Sequence, residues 1–305
     1  MKYFIITVDT EGDNLWRYKK GDIITTENSL FIPRFQELCE QFNLKPVWLT
    51  NYEMVCDKRF VDYIKTKVED GLCEIGIHVH AWNNPPYFEL QQKYNGNPYL
   101  IEYPDKVMYD KFATTYNLII EKFGVAPKSH RAGRWAMNEK YFKLLNEFNI
   151  NVDCSVTPGI NWNGNPGETM MGTDYSKATT LPYFIDNLLE VPMTVTKTHF
   201  SKRGSLSHRI KVLLNGENVW LRPATSTLNE MKQICKNVIL NSKQDYVEFM
   251  VHSSELMPGG SPYFKDENSI KQLYEILENL FNYIKHLGFV GITLNEYFSK
   301  KNNLI

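Results

Sequence analysis

YFIITVDTEGD, residues 3–13, joins two kinds of sequence without a break. Tyr3 to Val8 is a continuous apolar, β-branched run, the pattern of a strand buried on both faces. Asp9, Glu11 and Asp13 then follow at i, i+2 and i+4. A buried strand that delivers carboxylates at its C-terminal end belongs to an α/β protein whose chemistry sits where the strands stop. The pattern repeats outward from this point. Leu30, Phe31, Phe35, Leu38, Cys39 and Phe42 have helical spacing over 30–42, PVWLT at 46–50 reads as a strand, and 59–70 reads as a helix. CEIGIHV at 73–79 is a strand. Phe112, Tyr116, Ile119, Ile120 and Phe123 form a helical face closed by Gly124. A strand over 128–132 and a helix over 138–148, with Asn138 as N-cap, come next.

Further strands are expected at 150–156, 188–195, 247–252 (VEFMVH) and 289–294 (FVGITL), with helices over 228–240 and 270–284. Strand–helix alternation implies parallel pairing with helices outside, and about seven or eight such units favour a closed barrel over an open sheet. No linker or internal repeat interrupts it, so residues 1–305 read as one domain. Residues 157–180, rich in Gly, Asn, Thr and Pro, read as a loop insertion over one barrel mouth. SKRGSLSHRIK at 201–211 is a basic patch, read as a solvated loop, with contact to a phosphate-bearing substrate as the alternative.

Composition bounds the function. Of the 305 residues, 43 % are hydrophobic and 23 % charged, which excludes a disordered chain. Thirty-four basic against 35 acidic residues leave a net charge of −1 and no bulk field for nucleic acid. No run approaches the ~18–20 apolar residues of a transmembrane helix. The first residues lack the apolar core of a signal peptide, which points to the cytoplasm. Cys39, Cys56, Cys73, Cys154 and Cys235 are odd in number and widely spaced, with no CxxC pair, so they read as reduced thiols.

Polar residues with catalytic potential cluster at the expected strand ends. His78 and His80 stand two apart, which puts both imidazoles on one side of a strand. With a carboxylate from the 9–13 segment they make a divalent-metal site with positions open for water and substrate. Arg131 reads either as a surface salt-bridge partner or as the group that orients a catalytic carboxylate, and His252, after its apolar strand, either as a structural histidine or as the acid that protonates a leaving group. No GxSxG elbow, GxGxxG or Walker loop is present, which removes the nucleophilic-serine, dinucleotide and nucleoside-triphosphate readings their signatures.

TVDTEGD, EIGIHVHAW, HRAGRW, NVDCSV and FMVHSSE, in that order over residues 3–295, resemble the five motifs of NodB-homology polysaccharide deacetylases, carbohydrate esterase family 4. EIGIHVHAWNNPP, HRAGRW and HSSELMPGGSPY are most similar to a WalW-like subgroup. The resemblance implies a distorted (β/α)7 barrel and a metal-dependent hydrolase that removes an N-acetyl group from a sugar or glycan precursor. It implies Asp9 as general base, His252 as general acid and Arg131 as the partner of Asp9. Glu11, with Asp13 as its rival, joins His78 and His80 as metal ligands. Trp82, Arg134, Trp135 and Asp153 are the implied substrate contacts, with Tyr263 a further aromatic platform. The implied metal is Zn²⁺, with Co²⁺ or Ni²⁺ as alternatives. The implied partner is an N-acetylated sugar, nucleotide-sugar or lipid-linked glycan precursor. Two features depart from the family pattern: the second acid is displaced to Glu11, and Trp82 stands where the second histidine is usual, four residues after His78. These departures keep two alternatives open, a catalytically degenerate carbohydrate-binding barrel and a hydrolase of another non-peptide C–N bond.

Overall fold

The computed structural model describes residues 1–199, 205–241 and 243–302. The strands are β1 (Lys2–Thr10), β2 (Pro46–Thr50), β3 (Glu74–Val79), β4 (Ser129–Ala132), β5 (Val152–Asp153), β6 (Tyr183–Ile185), β7 (Leu188–Glu190), β8 (Val195–Thr198), β9 (Glu217–Trp220), β10 (Tyr246–His252) and β11 (Phe289–Gly291). The helices are α1 (Ile32–Gln41), α2 (Tyr52–Cys56), α3 (Lys58–Glu69), α4 (Asp105–Phe123), α5 (Glu139–Glu147), α6 (Leu206–Asn215), α7 (Leu228–Leu240), α8 (Glu267–His286) and α9 (Leu294–Asn302). Side-chain caps mark several starts. Asp57 accepts from the Arg59 and Phe60 amides before α3, and Asn138 accepts from the Tyr141 amide before α5. Gly124, left-handed at φ 74°, ends α4.

The main sheet runs β10-β1-β2-β3-β4-β5-β7-β6, parallel except for β6 against β7. Tyr3 and Phe4 pair with β10 on one edge of β1 and with β11 on the other, so β11 lies in the column of β2. Among the described residues no ladder joins β7 to β10. The curled sheet is instead closed by residues 191–195 and Leu221. The Val191 and Met193 amides donate to Asp153 O and Val156 O (2.8 and 2.9 Å), the Glu248 amide donates to Thr194 Oγ1 (2.8 Å), and the Met250 amide donates to Leu221 O (3.2 Å). This is a distorted α/β barrel with helices outside.

The inward and outward phases of the strands set the layers. Phe4, Ile6 and Val8 of β1, Ile75, Ile77 and Val79 of β3, and Val247, Phe249 and Val251 of β10 pack outward under the helices. Ile5, Val47, Leu49, Val152, Leu189 and Tyr246 fill the lower barrel interior, floored by Leu294 and Tyr297 of α9. Above them the inward phase turns polar. Thr7, Asp9, His78, Arg131 and Glu248 follow, each 3 % exposed or less.

Several sequence expectations need correction. The strand expected over 150–156 is ordered as a ladder only at Val152 and Asp153. The one expected over 188–195 stops at Glu190, ahead of Pro192, which has no N–H to donate. Strands β8 and β9 form a separate antiparallel ribbon. The basic patch expected as a loop is helical from Leu206 onward, while residues 201–204 lie outside the described part.

Candidate active site

Asp9 and His252 are register partners at the C-terminal ends of β1 and β10. His78 lies next to Arg131 across the β3–β4 ladder. Parallel pairing therefore brings residues 9, 78, 131 and 252 to one mouth, as the strand ends required. His78 Nε2 and His80 Nε2 are 3.1 Å apart, and Glu11 Oε2 is 2.6 Å from His80 Nε2 and 3.7 Å from His78 Nε2. One donor atom from each of the three lies within 4.8 Å of the others, and all three residues are buried. Asp13 turns away, its carboxylate engaged with Thr25 Oγ1 and the Asn28 amide, so Glu11 is the acid that meets the histidines.

The proton positions suit a cation. His78 Nδ1 donates to the Arg131 carbonyl at 2.8 Å, which leaves the Nε2 lone pair facing the cluster. Burial works against charge on His78, but Asp9 and Glu11 outweigh it and pull its pKa up. On His80, burial and the neighbouring His78 prevail over Glu11 and hold the pKa down. Glu11 is kept well below the usual carboxylate range, since the histidines overcome its burial. Two imidazole nitrogens and an ionised carboxylate are the donor chemistry of a divalent transition-metal site with open positions. The His80 ring is held from behind by Gly133. A Cβ there would lie 2.4 Å from the Val79 carbonyl and 3.0 Å from His80 Nδ1.

Arg131 is wholly buried and spans the barrel interior. It pairs with Asp9 Oδ1 and Glu248 Oε1, and it donates to Thr7 Oγ1 (2.7 Å) and Cys154 O (3.3 Å). Burial would raise the Asp9 pKa; Arg131, His78 and His252 reverse that and lower it. Asp9 Oδ2 is 3.7 Å from His252 Nε2. On the far side of that ring, Arg222 Nη2 is 3.0 Å from His252 Nδ1 and 2.6 Å from Glu255 Oε1. A guanidinium can only donate, so Nδ1 accepts and neutral His252 carries its proton on Nε2, toward Asp9. Glu255 also accepts from the His252 amide at 3.0 Å, and Arg222 overcomes its burial to hold its pKa at about 2.

These groups line a cavity of about 540 Å³ walled by Trp16, Trp82, Trp135, Trp162 and Tyr263. Arg134 and Trp135 are both left-handed, at φ 57° and 64°, a strained pair that turns Trp135 into the wall. Arg134 donates to Pro166 O at 3.0 Å, and its guanidinium lies 4.4 Å from the Tyr99 ring centroid. From the loop at 157–180, Trp162 and Asn165 reach the cavity. Asp153 does not. Strand alternation turns Val152 and Cys154 inward and Asp153 outward, where it meets His130 Nδ1 and Ser155 Oγ, each at 2.7 Å, with no exposed surface. Asp153 is therefore a member of an interior network and lies outside the lining of the cavity.

Sequence reasoning missed Glu248, Glu255, Arg222, Trp16 and Trp162. Glu248 carried a signal, a lone acid within VEFMVH in phase with His252, and Glu255 stands three residues after that histidine. Arg222 carried none, because it arrives from the ribbon β8–β9.

No family model and no curated protein matches this sequence. Solved structures do share its fold. A protein from Mycobacterium smegmatis assigned to the polysaccharide deacetylases superposes with a TM-score of 0.54 at 14 % identity, over 98 % of this chain and 90 % of that one. A GH57 branching enzyme from Thermococcus kodakaraensis gives 0.54 at 11 % identity, over 98 % and 71 %. A 4-alpha-glucanotransferase from Thermococcus litoralis gives 0.53 at 13 %, over 98 % and 38 %. The chain thus has the barrel fold seen in these three proteins.

Proposed function

We propose that the chain is a metal-dependent hydrolase of the polysaccharide deacetylase type that removes an N-acetyl group from a carbohydrate. The observation that carries this reading is the convergence of Glu11, His78 and His80 beside Asp9 and His252 in one aromatic-walled cavity. Glu11, His78 and His80 would hold the ion, with Zn²⁺ suited to the nitrogen-rich set. When bound, such an ion acidifies water and polarises an amide carbonyl. Asp9, kept ionised by Arg131, takes the proton from the attacking water. In its imidazolium form His252 gives its Nε2 proton to the nitrogen as the C–N bond breaks and returns to neutral imidazole, releasing acetate and an amine. Trp82, Trp135 and Tyr263 offer flat faces to a sugar ring.

The same fold serves glycosyl-transferring enzymes, but that chemistry needs two carboxylates free to flank a glycosidic bond. Asp9 and Glu11, the carboxylates of this cavity, are committed to Arg131 and to the histidines. The test pairs elemental analysis with an acetate-release screen over N-acetylated sugars, nucleotide-sugars and lipid-linked glycans. Wild type is expected to retain about one divalent ion per chain and release acetate from at least one class. His78→Ala is expected to lose both. Equal metal in both proteins, or none in either under metal-replete conditions, refutes the proposal.

A further inference from the structure

Helix α6 presents an apolar face to solvent. Leu206, Ile210, Leu213 and Leu214 are 74 %, 50 %, 63 % and 72 % exposed, while Val212 on the opposite side is 2 % exposed. At 3.6 residues per turn the four exposed side chains fall within an arc of about 100°. Arg209 and Lys211 flank that arc, one on each side, and LSHRIKVLLN contains no acidic residue. The helix is well built. Ser205 Oγ accepts from the His208 amide before it, Gly216 ends it at φ 74°, and His199 Nδ1 donates to Leu213 O at 3.2 Å, tying it to the end of β8. It sits at the tip of the β8–β9 ribbon, whose base pair, Val195 and Trp220, packs with Trp135 of the cavity wall.

We infer that α6 is a membrane-docking helix that lays Leu206, Ile210, Leu213 and Leu214 into the surface of an anionic lipid bilayer. An exposed apolar arc beside cations is the design of an interfacial helix: the apolar side chains enter the acyl boundary and exposed Lys211 at its edge meets lipid phosphates. Exposed Lys197 on the adjoining strand adds to the same basic surface. A second copy of the chain is the poorer occupant. Two such faces packed together would bring exposed Lys211 of each copy against the basic flank of the other, whereas lipid phosphates complement it. Docking here places the ribbon, and with it the Trp135 side of the cavity, next to the bilayer. The inference stands independently of the reaction proposed above.

The experiment uses the full chain with vesicles of phosphatidylcholine alone and of phosphatidylcholine with phosphatidylglycerol, read by co-sedimentation. Binding is expected to the anionic vesicles and not to the neutral ones, and it should weaken as salt rises. Ile210→Glu and Leu213→Glu should each lower it by ~10-fold or more, and Lys211→Glu by a smaller factor. Circular dichroism and metal content, unchanged in all three variants, separate lost docking from lost folding or from failure of the catalytic reading. Absence of binding to anionic vesicles, or binding that Ile210→Glu and Leu213→Glu leave intact, overturns the inference. So does a dimer in vesicle-free sedimentation that Ile210→Glu converts to monomer, since a second copy then covers the face.

Discussion

Arg131 is shared by two buried carboxylates that end in opposite states. Asp9 has the guanidinium and two histidines beside it, and its pKa falls below the usual value despite burial. Glu248 is deeper, and burial outweighs Arg131, so its pKa rises to about 7. The folded chain therefore keeps a proton on Glu248 that the unfolded chain releases near 4.5. The stability this group contributes is fully present below 4.5 and is lost as pH rises through about 7, up to about 3 kcal/mol. Glu248→Gln cannot lose that proton. Denaturant midpoints of the variant minus wild type should climb between pH 5 and 8, and a flat difference would show that Glu248 is ionised throughout. Arg222 supports a different prediction, since it fixes the His252 proton on Nε2. Arg222→Met should lower kcat of the acetate-releasing reaction by ~10–100-fold with KM and metal content nearly unchanged. Undiminished kcat would remove Arg222 from the site. The sequence displayed Asp9, Glu11, His78, His80, Arg131 and His252 because each stands at or near the end of a readable strand. It concealed Arg222 because no local pattern reports a side chain brought in by a distant ribbon.

Strands that are buried on both faces announce themselves, and the rest do not. β1, β2, β3 and β10 are continuous apolar runs and were legible with nearly their true bounds. β6 is three residues long, too short for any period to register, and β5 keeps only two of the residues expected over 150–156. α6 was hidden because the stretch read as one unit, SKRGSLSHRIK at 201–211, has four Lys or Arg in eleven residues and stops short of Val212, Leu213 and Leu214, so the segment resembled a loop. Within the legible strands one position was less easily read. Gly76 points inward on β3, and a Cβ there would lie 2.7 Å from Leu49 Cδ2 and 2.8 Å from the Ser129 carbonyl. The leucine can turn, but the carbonyl belongs to the neighbouring strand β4. Gly76→Ala should thus push β3 and β4 apart just below His78 and Arg131. A loss of ~1–3 kcal/mol is expected in chemical denaturation, with weaker metal retention as its companion. An unchanged midpoint would mean that the sheet yields at no cost.

At the scale of the whole molecule, chain order and spatial order are interleaved. β1 lies between β10 and β2, so the first strand is paired along seven register positions, Tyr3 to Asp9, with a strand from the last quarter of the chain. β11 then adds to the other edge of β1. Half of the proposed catalytic pair comes from each end, Asp9 from β1 and His252 from β10. A cut in the middle of the chain therefore should not yield two folding units. The exposed residues Asn163, Gly164 and Asn165 are the natural place for such a cut, because they carry neither helix nor strand. The residues just beyond are tied down, with the Glu168 and Met170 amides donating to the Glu102 carboxylate at 3.2 and 2.9 Å. Limited proteolysis of the native protein is expected to nick near 163–165 first. The two fragments should stay together on gel filtration, because the β1–β10 ladder crosses the cut. Separated in denaturant and diluted alone, each should fail to regain cooperative structure, while the mixture should recover some. Two fragments that fold apart would divide the chain into domains, and Asp9 and His252 would then belong to different ones.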